Sequence, residues 1–280
     1  MKKAIALIAA LMTLCLAFTG CGGNQSASSG SGSGAPASSG MKTLKIGATA
    51  VPHAEILEVI KPILKEQGVA LDIVEFSDYV QPNLALNDKE LDANFFQHAP
   101  YLENFISEHK ECKLANAAGI HIEPMGVYSK SIKDLKDLKD GASIAIPNDP
   151  TNEGRSLLLL EKAGLLKLKE GVAEKATIQD IVENSKNIKF QEVEAAQVPR
   201  TLEDVDAAVI NTNYAMQVNL VPTKDALFIE DSTSPYVNII AVRQGDEKRP
   251  EIEALIKALK TEQVKQFIND KYKGAVVPAF

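Results

Sequence analysis

From Leu44 to Ile268, short apolar runs of strand length alternate with segments whose apolar residues recur at helical spacing. That alternation restricts the chain to sheets covered by helices. Leu44 to Ala48 alternates as a strand does, and Ile56, Leu57, Ile60, Ile63 and Leu64 then form a helical stripe that Gly68 ends. Residues 70–76, 91–96, 142–146, 188–193 and 206–211 read as further strands, with 120–128 and 236–242 as longer extended stretches. Helices are expected over 101–109, from Ser131, across Leu157 to Leu160, over 195–202 despite Pro199, and over 251–259 and 262–268. Asn148-Asp149-Pro150-Thr151-Asn152 reads as a helix start, with Asp149 or Thr151 as cap and Pro150 in the first turn. The pattern gives an α/β fold class with largely parallel sheets. No strong linker interrupts 41–280, so two α/β lobes joined by more than one chain crossing fit best.

The first forty residues are of another kind. Met1-Lys2-Lys3 precedes an apolar run from Ala4 to Phe18 that only Thr13 interrupts. Two charges, a short greasy core and small residues before Cys21 predict a signal peptide over 1–20. A spanning helix needs about 20 apolar residues, more than this run supplies. Phe18-Thr19-Gly20-Cys21 resembles a lipoprotein processing box, with Phe18 where Leu is usual. Residues 21–40 would follow as a lipid-anchored tether. Beyond Cys21 it holds only Gly, Ser, Ala, Asn, Gln and one Pro. Such a coil spans roughly 25 Å. The folded part is therefore expected on the extracytoplasmic side of the cell membrane, attached through lipid on Cys21.

Ligands of α/β folds sit beyond the carboxyl ends of strands, which directs attention to a few residues. Arg155 is one of four arginines, with Arg200, Arg243 and Arg249, and alone lies in the first turn of a helix after a buried strand. A helix N-terminus favours an anion, and a guanidinium fork matches a carboxylate. A solvated helix arginine is the plain alternative. Aromatic residues make up 5% of the chain, yet Phe95, Phe96 and Tyr101 cluster beside His98. They are either core or the wall for an apolar ligand group, and Tyr79 is open to the same two readings. Asn211 and Asn213 follow a buried strand, and Asn238 interrupts an apolar stretch. A buried Asn must be hydrogen-bonded, so these serve as caps and backbone partners or as acceptors for an ammonium group. Together the set matches a free amino acid.

Other classes fit less well. A net charge of −7 argues against nucleic acid as a partner. Cys112 stands alone once Cys15 and Cys21 are assigned to the N-terminus, so it forms no disulfide or thiolate cluster. The histidines are His53, His98, His109 and His121; only His121 and Glu123 share a strand face, and no three-ligand metal set is evident. No cofactor is expected. Nucleophile elbow, P-loop and dinucleotide turn are all missing, so an enzyme is not expected.

Three motifs carry a resemblance. Asp92-Ala93-Asn94-Phe95-Phe96-Gln97-His98, Ile146-Pro147-Asn148-Asp149-Pro150-Thr151-Asn152 and Ser234-Pro235-Tyr236-Val237-Asn238 resemble the methionine-binding lipoprotein family of ABC importers, as does the ending Gly274-Ala275-Val276-Val277-Pro278. The similarity spans 43–280. It implies a two-lobed periplasmic-binding-protein fold, type 2-like, with lobes of 41–126 plus 236–280 and of 127–235, joined by a two-segment hinge. By the same resemblance Arg155 binds a carboxylate, Asn213 and Asn238 hold the amino-acid head group, and Asn152 assists. Tyr79, Phe95, Phe96, His98 and Tyr101 would line the pocket. A monomer delivering L- or D-methionine to an importer's permease and ATPase is expected. Another small amino acid, a methionine derivative or a short peptide is the alternative ligand.

Overall fold

A computed structural model describes residues 40–280. The signal segment, Cys21 and nearly all of the tether lie outside the described residues.

The strands are β1 (Lys42–Ala48), β2 (Val69–Glu75), β3 (Ala93–His98), β4 (Leu114–Ile122), β5 (Gly126–Tyr128), β6 (Ser143–Pro147), β7 (Lys167–Leu168), β8 (Ile181–Glu183), β9 (Lys189–Val193), β10 (Ala207–Ile210), β11 (Phe228–Ile229), β12 (Val237–Arg243) and β13 (Val277–Pro278). The helices are α1 (Glu55–Glu66), α2 (Gln81–Asn87), α3 (Ala99–Glu108), α4 (Pro150–Lys162), α5 (Thr212–Gln217), α6 (Pro222–Asp225), α7 (Pro250–Leu259) and α8 (Glu262–Tyr272). One sheet runs β13-β4-β12-β3-β1-β2 and the other β11-β5-β10-β6-β9, with β7 and β8 as a separate ribbon.

The chain leaves the first sheet after Ile122, enters the second at Gly126, and returns between Ile229 and Val237. Gly126, expected at the end of the first lobe, thus opens a strand of the second sheet. The stretch 120–128 is correspondingly two strands in two sheets. Both sheets are mixed rather than largely parallel. β1 runs parallel to β2 and β3, but β12 is antiparallel to β3 and β4; β6 runs parallel to β9 and β10, but β5 is antiparallel to β10. The return strand β12 enters the middle of the first sheet from the opposite end, and this makes the sheet mixed.

Each sheet carries apolar residues on both faces. Ile240 and Val242 of β12 join the core under α1, α7 and α8, while Ile239 and Ala241 face Leu86, Phe96 and Phe105. In α1, Ile56, Leu57, Ile60 and Leu64 are wholly buried. Each such side chain contributes about 1.5–3 kcal/mol, so the helix is held by this stripe. Two expected helices are shorter than anticipated. The segment from Ser131 holds only a 3-10 turn, Leu135–Asp137, and 195–202 holds the 3-10 helix Val198–Glu203, with Pro199 in its first turn. Polar-rich α2 and α5 were not anticipated.

Candidate functional site

The carboxyl ends of β3, β6 and β10 and the start of β12 converge between the two sheets. Each is prepared by local chemistry. Asp149 caps α4 by accepting the Asn152 N–H at 3.0 Å, and Pro150 occupies the first turn. Arg155 lies in the second turn of α4 rather than in the first as expected, facing inward and 3% exposed. His98 caps α3 in the same way: its Nδ1 accepts the Tyr101 backbone N–H at 3.1 Å. Its Nε2 therefore carries the proton and donates to Asn152 Oδ1 at 3.2 Å.

The cavity they enclose is lined by Tyr79, Phe96, Gln97, His98, Tyr101, Glu123, Asn152, Arg155, Asn211, Thr212, Asn213 and Asn238 and holds about 320 Å³. Hydrogen bonds from Tyr79 to Asn213 and from His98 to Asn152 cross it, so the space is a narrow slot. Eight of the nine expected pocket residues meet here: Arg155, Asn152, Asn213, Asn238, Tyr79, Phe96, His98 and Tyr101.

Phe95 does not. It is wholly buried in the core of the first sheet, edge-on to His53 at 4.6 Å. The ladder between β3 and β12 slips where Gln97 pairs Ile239 and Phe95 pairs Ile240, leaving Phe96 without a partner. This bulge turns Phe96 and Gln97 toward the slot and leaves Phe95 on the other face.

The asparagine roles also change. Tyr79 Oη donates to Asn213 Oδ1 at 2.6 Å, and His53 Nε2 lies 3.1 Å from Asn238 Oδ1. Both carbonyls are thus engaged by the protein. The buried Nδ2 of Asn213 and the buried Oδ1 of Asn211 are left without partners among the described residues. Buried polar atoms of this kind call for a partner. Of the three amides expected to accept from an ammonium, Asn213 and Asn238 have their carbonyls engaged, and Asn211 keeps a free acceptor among the described residues.

A second acceptor, Glu123, follows β4. Its Oε1 lies 2.7 Å from His121 Nε2 and 3.2 Å from His53 Nε2. His53 Nε2 faces only acceptor oxygens, Asn238 Oδ1 and Glu123 Oε1, and His121 Nε2 faces Glu123 Oε1, so both neutral imidazoles carry the proton on Nε2, and Thr49 Oγ1 lies 2.7 Å from the His53 Nδ1 left as acceptor. Oε2 accepts no side-chain hydrogen bond among the described residues. Burial pushes the Glu123 carboxyl up, against the pull of His53 and Arg155. His53, His121 and Glu123 bring three ligand atoms within 4.8 Å of one another, so among the described residues these could hold a metal ion, and His53 was not foreseen among them.

Arg155 spans the slot's end. Its Nε donates to Glu230 Oε1 at 2.8 Å, and its Nη2 donates to Glu230 Oε2 at 2.5 Å and to the Glu123 carbonyl at 2.8 Å. The guanidinium lies 4.3 Å from the centre of the Tyr236 ring. Burial pulls its pKa down, but Glu230 more than offsets this, and the charge is kept. Thr212 and Glu230 carried no signal in the sequence, Gln97 appeared only as part of the motif ending at His98, and Glu123 only as a neighbour of His121.

Burial, the largest cause in each case, lowers His53 to about 4 and His98 and His121 to about 3. In the unfolded chain these groups titrate near 6.5. Their contribution to stability is therefore full above about pH 6.5 and lost as the pH falls toward about 4 and then 3. Glu123 and Asp149, raised chiefly by burial, act in the opposite sense and blunt the slope. Denaturant midpoints should rise between pH 4.5 and 6.5. A flat or falling midpoint would mean that the imidazoles are not buried and neutral.

Comparison with known proteins places this architecture in a family. The family model described as NlpA lipoprotein matches residues 44–280. The methionine-binding lipoprotein MetQ of Bacillus subtilis is 46% identical over 99% of each chain. The D-methionine-binding lipoprotein MetQ of Escherichia coli K12 is 43% identical over 84% of this chain and 87% of its own. Among solved structures, a nutrient-binding protein from Burkholderia cenocepacia bound to methionine superposes with a TM-score of 0.82 at 49% identity, covering 85% of this chain and all of that one. The fold is the two-lobed periplasmic-binding-protein type.

Proposed function

Because the chain belongs to the NlpA lipoprotein family, we propose that it is an extracytoplasmic solute-binding lipoprotein that captures methionine and hands it to the permease and ATPase of an ABC importer. The observation that carries this reading is the slot's polarity. One end offers Arg155 Nη1, which has no hydrogen-bond partner among the described residues, with the Nδ2 groups of Asn213 and Asn238. These suit a carboxylate. Glu123 Oε2 and Asn211 Oδ1 suit an ammonium group. Tyr79, Phe96, Tyr101 and His98 supply a wall for the side chain, and a thioether gains about 0.3–1.5 kcal/mol from each aromatic edge. The methionine bound by the Burkholderia relative supports the same choice.

The mechanism is closure of two lobes, which we assign to 41–126 with 236–280 and to 127–235, save that Gly126 itself pairs in the sheet of the second lobe. Tyr79 to Asn213, His98 to Asn152, and Tyr214 Oη to the Ser77 carbonyl at 3.3 Å bridge them across the slot. A ligand that touches both sides favours the closed state by its differential affinity. Tyr79→Phe removes one bridge and should weaken methionine binding about 3- to 10-fold with the fold unchanged. Titration calorimetry reads this directly, and an unchanged Kd would remove Tyr79 from the closing contacts.

Anchoring follows the family's character. No helix among the described residues is long and apolar enough to cross a membrane. Lipid on Cys21 would tether the protein, as a monomer, to the outer face of the cell membrane, and two or more acyl chains make such an anchor stable. Native mass spectrometry of the purified protein tests the ligand. A bound mass equal to methionine is expected; a different co-purifying solute, or an added methionine that fails to bind, would refute the proposal.

A further inference from the structure

We infer that Glu230 is a positioning residue that holds Arg155 from behind and fixes how much of its guanidinium is left for the ligand. The inference rests on the methionine-binding reading above and deepens it. Glu230 does not line the slot; it lines the neighbouring cavity, and Arg155 borders both spaces. A guanidinium has five N–H groups. Glu230 takes the one on Nε and one on Nη2, and the Glu123 carbonyl takes the other on Nη2. Among the described residues, only the pair on Nη1 is left without a partner. The ligand carboxylate is therefore gripped at a single nitrogen, and the fork formed by Nε and Nη2 is spent on the protein.

Glu230 also fastens the two chain crossings to each other. Its Oε2 accepts the Met125 N–H at 2.9 Å, and its own N–H donates to the Met125 carbonyl at 2.9 Å. Met125 closes the outgoing crossing and Glu230 opens the returning one. Arg155 is thereby keyed to the place where both strands of the hinge meet. Held this way, the guanidinium meets the ligand already oriented, and little ordering remains for the binding step.

The test is a double-mutant cycle read by titration calorimetry with L-methionine, using Glu230→Gln alone, Arg155→Met alone, and both together, with titrant carried into the millimolar range. Gln keeps the shape but loses the two-oxygen anionic grip. Glu230→Gln alone should weaken binding about tenfold, and the same change should move Kd less than twofold once Arg155 is gone. Glu230→Asp should recover part of the loss. Thermal unfolding checks that each variant is folded. An unchanged Kd in folded Glu230→Gln would overturn the inference, as would an equal loss in both backgrounds, which marks a general structural effect. A wild-type protein that takes up no methionine would instead refute the parent reading.

Discussion

Arg155→Ala is expected to weaken methionine binding by at least a hundredfold while the protein still folds. The guanidinium is 3% exposed and is the cation at the ligand end of the slot. Removing one partner of a buried charge pair loses about 3–5 kcal/mol, because the remaining charge stays buried without compensation. That is on the order of 150- to 5,000-fold in Kd. Two carboxylates feel the change, since the ligand's would lose Nη1 and Glu230 would lose its paired fork. Part of the loss should therefore appear as lower stability of the ligand-free protein. The two can be told apart by a denaturant curve without methionine beside a titration with it. Unchanged affinity in a folded variant would remove Arg155 from the site.

Asn238→Ala should cost tenfold or more, up to about a hundredfold. Asn238 sits at the start of β12, 5% exposed, with its Oδ1 on His53 and its Nδ2 without a side-chain partner among the described residues. Alanine would remove a donor to the ligand carboxylate. It would also take one of the two acceptors from the His53 Nε2–H, leaving Glu123 to hold that proton alone. Hydrogen bonds to charged groups are worth about 1.5–3 kcal/mol, which sets the size of the first effect. An Asn238→Ala protein that binds methionine as tightly as the wild type would contradict the role.

Much of this site could be read from local signals. Asp149 with Pro150 marks a helix start at the level of a few residues, and the turn after it carries Arg155; such caps are set by neighbours in sequence. The strand before Asn213 and the strand that contains Asn238 were likewise visible as apolar runs. Features that depend on pairing across the sheet were not. Phe95 and Phe96 are chemically alike and fall on opposite faces by strand alternation, but which face borders the slot is set by the neighbouring strands, and only the register slip against Ile239 and Ile240 brings Gln97 to the same side as Phe96. Glu230 is 75 positions from Arg155, and nothing in either neighbourhood announces the contact. His53 joins Glu123 only because the segment before α1 and the end of β4 meet over Phe95. The expected helices from Ser131 and over 195–202 fall short because their polar and proline-containing sequences carry too little apolar periodicity to extend past one or two turns.

The most direct test is a crystal structure of the protein grown with L-methionine. The ligand carboxylate should lie within about 3 Å of Arg155 Nη1 and its ammonium beside Glu123, a normal hydrogen-bond separation, with the thioether against Tyr79, Phe96 and Tyr101. Methionine bound elsewhere, or seated with its ammonium toward Arg155, would contradict the slot's assigned polarity.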